Sequence, residues 1–148
     1  MHLTNFTDYT LRVLIYLAVH QHNDRLATIS DVATAYGISE NHLMKIVHHL
    51  AKQGYVETTR GKGGGMRLAR APEQVNLGDV VRDAEDGPVT ARRFRQHDAP
   101  LPIASACALT EILEQAMHAF FDTLDSHTLA DLLEHREKLA GAFRANST

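Results

Sequence analysis

Residues 28–70 read TISDVATAYGISENHLMKIVHHLAKQGYVETTRGKGGGMRLAR, and the punctuation of this stretch decides the fold. Ser30 is placed to cap a short helix over Asp31 to Tyr36, with Val32 and Ala33 available for packing. Gly37 permits the left-handed turn that stops it. Ile38 is an apolar plug, and Ser39 caps a second helix from Glu40 to Gln53, which Gly54 ends. Two short helices joined by a glycine-containing turn form a helix-turn-helix. The second helix has two faces. Leu43, Ile46, Val47 and Leu50 line one, while Asn41, Lys45, His48 and Lys52 line the other at i, i+4, i+7 and i+11. An amide, two ammonium groups and an imidazole are groups that meet phosphates and base edges.

The next residues add a hairpin. Tyr55 to Thr59 is rich in aromatic and β-branched residues and reads as a strand, with Met66 to Leu68 returning beside it. The tip, Arg60-Gly61-Lys62-Gly63-Gly64-Gly65, combines four glycines with two cations. It lacks the spacing of a nucleotide-phosphate loop and opens no helix, which argues against a nucleotide site. A helix-turn-helix followed by a basic hairpin is a winged helix.

Outward from this centre, Phe6 to His20 carries Leu11, Leu14, Ile15 and Ala18 at helical spacing, with Thr7 or Asn5 as cap and Asp8 in the first turn. On the other side Asn76 is placed to cap a helix over Leu77 to Glu85. Residues 86–102 lose all periodicity and hold three of the four prolines with Arg92, Arg93, Arg95 and His97, a long loop of the kind that is functional or disordered. A long helix then runs from Ala104 to Leu124. Its apolar stripe is wider than one core face needs, which points to self-association. Ser126 is placed to cap a last helix from Thr128 to about Lys138, and the tail to Thr148 is expected to fray. The fold class is therefore mainly α with a small β-wing. Residues 1–85 form a winged helix-turn-helix domain, 86–103 a sensor-type loop, and 104–148 a dimerisation helix and C-terminal helix.

Composition narrows the function. At 148 residues the chain is about one domain long. It has no apolar run long enough to span a membrane. One cysteine, Cys107, leaves no internal disulfide to form and fits a reducing cytoplasm. The net charge of −3 hides an asymmetry, because residues 1–70 carry eight Lys/Arg against five Asp/Glu. Within 41–70 the bases Lys45, Lys52, Arg60, Lys62, Arg67 and Arg70 face one acid, Glu57. A basic segment in an acidic protein marks a surface for a polyanion.

These segments resemble the family of dimeric bacterial winged-helix regulators that includes IscR and NsrR. The resemblance is carried by Leu3 to Tyr9 with Leu11-Arg12, by Gly37-Ile38-Ser39 with His42-Leu43, and by Gly54-Tyr55-Val56. It continues through Arg60 to Leu68, Gly78 to Arg82 and Thr128 to Leu132. The opening stretch looks most like the nitric-oxide-sensitive branch. The resemblance implies a cytoplasmic, non-enzymatic repressor that binds a palindromic operator in double-stranded DNA as a homodimer. Ser39, Asn41, His42 and Lys45 would then meet phosphates and bases in the major groove, with Arg60 and Lys62 serving the wing. His48 joins them from its place on the helix face.

The sensing half departs from that pattern. Cluster-binding members carry three cysteines in the loop and at the start of the long helix. Here Cys107 stands at the last of those positions, Leu101 at the second, and the region of the first has none. Asp8 matches the position from which the nitric-oxide-sensitive branch supplies a carboxylate across the dimer. With Cys107, Asp8 and His97 as sensor candidates, an iron–sulfur cluster is implied by resemblance but short of ligands, because such clusters want four, mostly thiolates. The alternatives are another metal or cofactor, thiol chemistry at Cys107, whose helix-start position and nearby arginines would favour a thiolate, an organic effector, or no effector at all. An enzyme using Cys107 with His97 or His118 as base lacks an orienting third group. A protein-binding winged helix has no need of a cationic glycine-rich tip.

Overall fold

The structure is a computed structural model that describes residues 2–85 and 108–146. Helices α1 (Asn5–Val19), α2 (Ile29–Tyr36) and α3 (Glu40–Lys52) lead into strands β1 (Val56–Thr59) and β2 (Gly65–Leu68). A 3₁₀ turn at Pro72–Gln74, α4 (Leu77–Glu85), α5 (Ala108–Asp125), a second 3₁₀ turn at Leu129–Leu133 and α6 (Arg136–Asn146) complete the order. The mainly helical winged-helix fold is as the sequence predicts.

The caps explain where the first helices begin. α1 is capped by Thr4, not by Thr7 or Asn5: the Thr4 side chain accepts from the Thr7 backbone N–H. Thr7 is buried instead, and its hydroxyl donates to Glu85, which also accepts from the Thr4 backbone N–H at 2.8 Å and hydroxyl at 3.0 Å. The end of α4 is thereby tied to the positive end of α1, where a carboxylate is favoured. α2 starts at Thr28, two residues before the expected Ser30. Thr28 and Asp31 form a reciprocal capping box at 3.1 and 2.8 Å, which Ser30 cannot match because Ala33 stands three residues after it. Arg25 clasps the same carboxylate at 2.7 and 3.0 Å, and its hydrogen bonds hold Asp31 down at about 2. Gly37 closes α2 at φ +66, a left-handed conformation that glycine adopts without penalty, and Ser39 caps α3 as expected.

One core holds these pieces together. Val13, Leu14 and Leu17 of α1 pack with Val32, Leu43, Ile46, Leu50, Val56, Met66 and Val80, all buried. The wing is an antiparallel pair with Val56 opposite Leu68 and Thr59 opposite Gly65. Ala27 extends it by one bridge, its carbonyl accepting from the Met66 N–H at 2.7 Å.

The C-terminal part differs from expectation. Instead of one helix over Thr128 to Lys138 and a frayed tail, the chain forms the 3₁₀ turn and then α6 as far as Asn146. Leu129 is fully buried in the core and its N–H donates to the Val75 carbonyl at 2.8 Å, which diverts the backbone from a continuous helix. α6 then lays Phe143 among Tyr16, Tyr36 and His20, with ring centroids 5.1–5.8 Å away. Arg136 donates to the Val19 carbonyl and Asn146 to that of Ala35, satisfying acceptors at the ends of α1 and α2.

α5 is fixed at its C-terminal end. Arg82 of α4 forks onto Asp125 with two hydrogen bonds of 2.7 Å and lies 4.4 Å over the Phe121 ring. Its guanidinium lowers the Asp125 carboxyl below the ordinary range. Asn76 caps α4 through its side-chain oxygen, and its side-chain nitrogen donates to the Asp125 carbonyl. Toward the other end, Leu109, Ile112 and Leu113 are exposed. The predicted start of this helix at Ala104 lies outside the described residues.

Candidate nucleic-acid interface

The polar face of α3 points away from the core and is open to solvent. Asn41, His42, Lys45, His48 and Lys52 are all exposed, and the four residues that face inward are all buried. Ser39 sits at the exposed start of the helix, its hydroxyl accepting from the His42 N–H at 3.2 Å. His42 lies beside Tyr9 of α1, the rings 6.4 Å apart and tilted. His49 takes the other course: its ring meets Phe6 edge-on at 5.3 Å, and burial pushes it below the ordinary imidazole value. The adjacent histidines therefore have different surroundings, one half-buried and one facing out.

The wing follows immediately and is braced on the same helix. The Tyr55 N–H donates to the Leu50 carbonyl at 2.9 Å, and the buried Tyr55 ring sends its hydroxyl to Asp83 of α4 at 2.7 Å. Burial raises the Tyr55 hydroxyl well above its usual value, so it stays a donor. Arg70 stacks 4.7 Å over the Tyr55 ring and donates to the carbonyls of Gly54 and Gln53, closing the turn between α3 and β1. Arg67 pairs across the strands with Glu57 at 3.1 Å.

This sorts the six bases of the basic segment. Arg67 and Arg70 are occupied within the fold. Among the described residues no ion pair engages Lys45, Lys52, Arg60 or Lys62, and all four are exposed. Two lie on the outward face of α3 and two at the tip of the wing. Such an arrangement presents free cations to a polyanion from two braced elements. The bracing by Tyr55, Asp83 and Arg70 is not legible in the sequence, because the partners lie 15 or more residues apart in the chain.

The tip depends on close backbone approach at Gly64. A Cβ there would lie 2.3 Å from the Thr59 carbonyl oxygen and 2.8 Å from that of Gly61. The Gly64 N–H donates to that same Gly61 carbonyl at 3.0 Å, which closes the turn.

Of the three sensor candidates, Asp8 lies within the described residues. Asp8 is engaged by Arg12, whose Nε lies 3.0 Å from its carboxylate, and the Arg12 guanidinium sits 5.5 Å from the centre of the Tyr36 ring. Cys107 and His97 lie outside the described residues. Among the described residues no three His, Cys, Asp or Glu side chains group as a metal site. No described helix is long and apolar enough to cross a membrane.

Comparison with known proteins gives the same reading of the fold. Residues 3–135 match the family described as Rrf2, an iron-dependent transcriptional regulator. The chain is 44% identical over 139 residues to the transcriptional regulator NsrR of Bacillus licheniformis, covering 94% of this chain and 96% of that one. It is equally similar to NsrR of Bacillus subtilis, with 94% of each chain covered. Among solved structures, T. potens IscR superposes with a TM-score of 0.73 at 26% identity, over 93% of this chain and 90% of that one. The global cysteine regulator CymR of B. subtilis gives 0.70 at 27% identity, over 91% and 98%. With its helix-turn-helix and wing braced on one core and its match covering nearly the whole chain, the protein belongs to the Rrf2 family of transcriptional regulators.

Proposed function

We propose that the protein is a cytoplasmic repressor that binds a roughly palindromic operator as a homodimer, each subunit reading one half-site. The observation that carries this reading is the set of four unengaged cations on α3 and the wing, with Asn41 and His48 between them on the outward face. Ser39, Asn41, His42, Lys45 and His48 would face the major groove, and Arg60 and Lys62 the flanking backbone. Residues 1–85 would act as the reading domain, 86–103 as the sensor-type loop, and 104–148 as the dimerisation helix and C-terminal helix. The exposed Leu109, Ile112 and Leu113 support α5 as the seam between subunits. By this reading the protein is not an enzyme.

Salt dependence tests it. Binding to a duplex measured by fluorescence anisotropy should weaken steeply as salt rises, because each neutralised phosphate releases counterions. Lys45→Ala and Lys62→Ala should each flatten the logarithmic slope by about 1 for every phosphate that is no longer neutralised. A slope near zero in the unaltered protein would end the DNA reading.

The signal is where this chain parts from its family. A family described as iron-dependent implies iron, and clusters of the usual kind want four ligands, mostly thiolates. This chain has one cysteine, Cys107, and the Asp8 carboxylate is held by Arg12. That donor set does not fit an ordinary cluster. The mismatch favours a redox or nitrosative response through the Cys107 thiol, without a metal cofactor. Protein purified without oxygen should therefore lack stoichiometric iron and labile sulfide while still binding duplex DNA. A coloured protein with both in stoichiometric amount would restore the cluster and make Cys107, Asp8 and His97 the ligands to replace.

A further inference from the structure

Met44 is the one large apolar residue on α3 whose place the core does not explain. Leu43, Ile46, Val47 and Leu50 fill the inward face of the helix and are buried, whereas Met44 is 57% exposed. The other large apolar side chains exposed among the described residues are Leu3, Leu109, Ile112, Leu113 and Leu132. All of those lie outside α3 and the wing. At 100° per residue, Met44 falls on the outward arc of α3, beside Asn41 three residues before it and His48 four residues after. The surface set toward DNA thus carries one flexible apolar side chain among its amide, ammonium and imidazole groups.

The chemistry of duplex DNA selects what such a side chain can recognise. Among the base-edge groups of the major groove, the C5-methyl of thymine is the one alkyl group, set among hydrogen-bond donors and acceptors. A thioether chain with three rotatable bonds adapts its shape to a small apolar target. We propose that Met44 is a specificity-determining residue that reads the C5-methyl group of a thymine in each half-site. The proposal rests on the placement of α3 in the major groove, and it deepens that reading by assigning one base type to one residue.

The test separates the two. Operators are enriched from a randomised palindromic duplex library with the full chain, and each thymine is replaced symmetrically by uracil, which lacks only the methyl. In the unaltered protein, one thymine position per half-site should lose about fourfold in affinity per methyl removed, about fifteenfold for the symmetric pair. Met44→Ala should bind the thymine operator more weakly by a similar factor and be indifferent to uracil at that position. Met44→Leu should keep most of the preference. Indifference of the unaltered protein to every thymine-to-uracil change would overturn the proposal, as would an undiminished uracil penalty in Met44→Ala, and both would leave the DNA reading standing. Failure to enrich any sequence would remove the DNA reading and the proposal with it.

Discussion

Ile112→Glu is expected to convert the proposed dimer into monomers and to weaken operator binding by about 100-fold or more. Ile112 is 59% exposed on α5, between Leu109 and Leu113, and a small domain gains nothing by showing three large aliphatic groups to water. Buried against a second copy, that face would leave an introduced carboxylate desolvated and unpaired, at a cost of several kcal/mol. The subunit itself should remain folded, because Ile112 belongs to neither the main core nor the cluster around Phe143. The loss in DNA binding follows from geometry. Two half-sites engaged by linked subunits gain about 10²–10⁴ over either alone, and monomers forfeit that gain. Sedimentation equilibrium reads the assembly and anisotropy reads the affinity. A variant that stays dimeric with unchanged affinity would show that α5 is not the seam.

Gly64→Ala should cost about tenfold in operator affinity per half-site while leaving α3 in place. The added Cβ meets two backbone oxygens, those of Thr59 and Gly61, and neither can turn aside as a side chain would. The tip must open, which moves Arg60 and Lys62 from the positions the turn gives them. Charge-assisted hydrogen bonds to phosphate contribute about 1.5–3 kcal/mol each where they are well formed, and each 1.4 kcal/mol is tenfold. The effect on stability should be small, since the tip is exposed and the buried wing residues Val56 and Met66 are untouched. Circular dichroism would verify the fold. Full affinity in Gly64→Ala would mean that the wing does not touch DNA.

These two variants act at different distances from what the chain itself spells out. Ser39, Gly37 and the two-faced spacing of α3 are local signals, and the helix-turn-helix emerges from them because caps and turns are short-range chemistry. The hairpin follows for the same reason, its strands being separated by a tip of glycines and cations. The family resemblance read from these motifs agrees with the family match over residues 3–135. The cap of α2 stands two residues from where the sequence places it, because Ser30 is as good a capping residue as Thr28 in isolation. Only the carboxylate at Asp31 makes Thr28 the better choice.

The winged-helix fold, the outward set Asn41, Lys45, His48 and Lys52, and the presence of a single cysteine are all legible in the chain alone. Each is a matter of residue type, count or near-neighbour spacing. Tertiary structure alone decided which cations are available: Arg67 and Arg70 are taken by Glu57 and by the turn around Tyr55, while Lys45 and Lys62 are not. It also decided that the C-terminal segment turns at Leu129 and returns as α6 to seat Phe143 on α1 and α2. The physical reason is the same in both cases. Burial of Leu129 and Phe143, like the pairing of the arginines, joins residues far apart in the chain, and no local pattern marks a partner brought close only by folding.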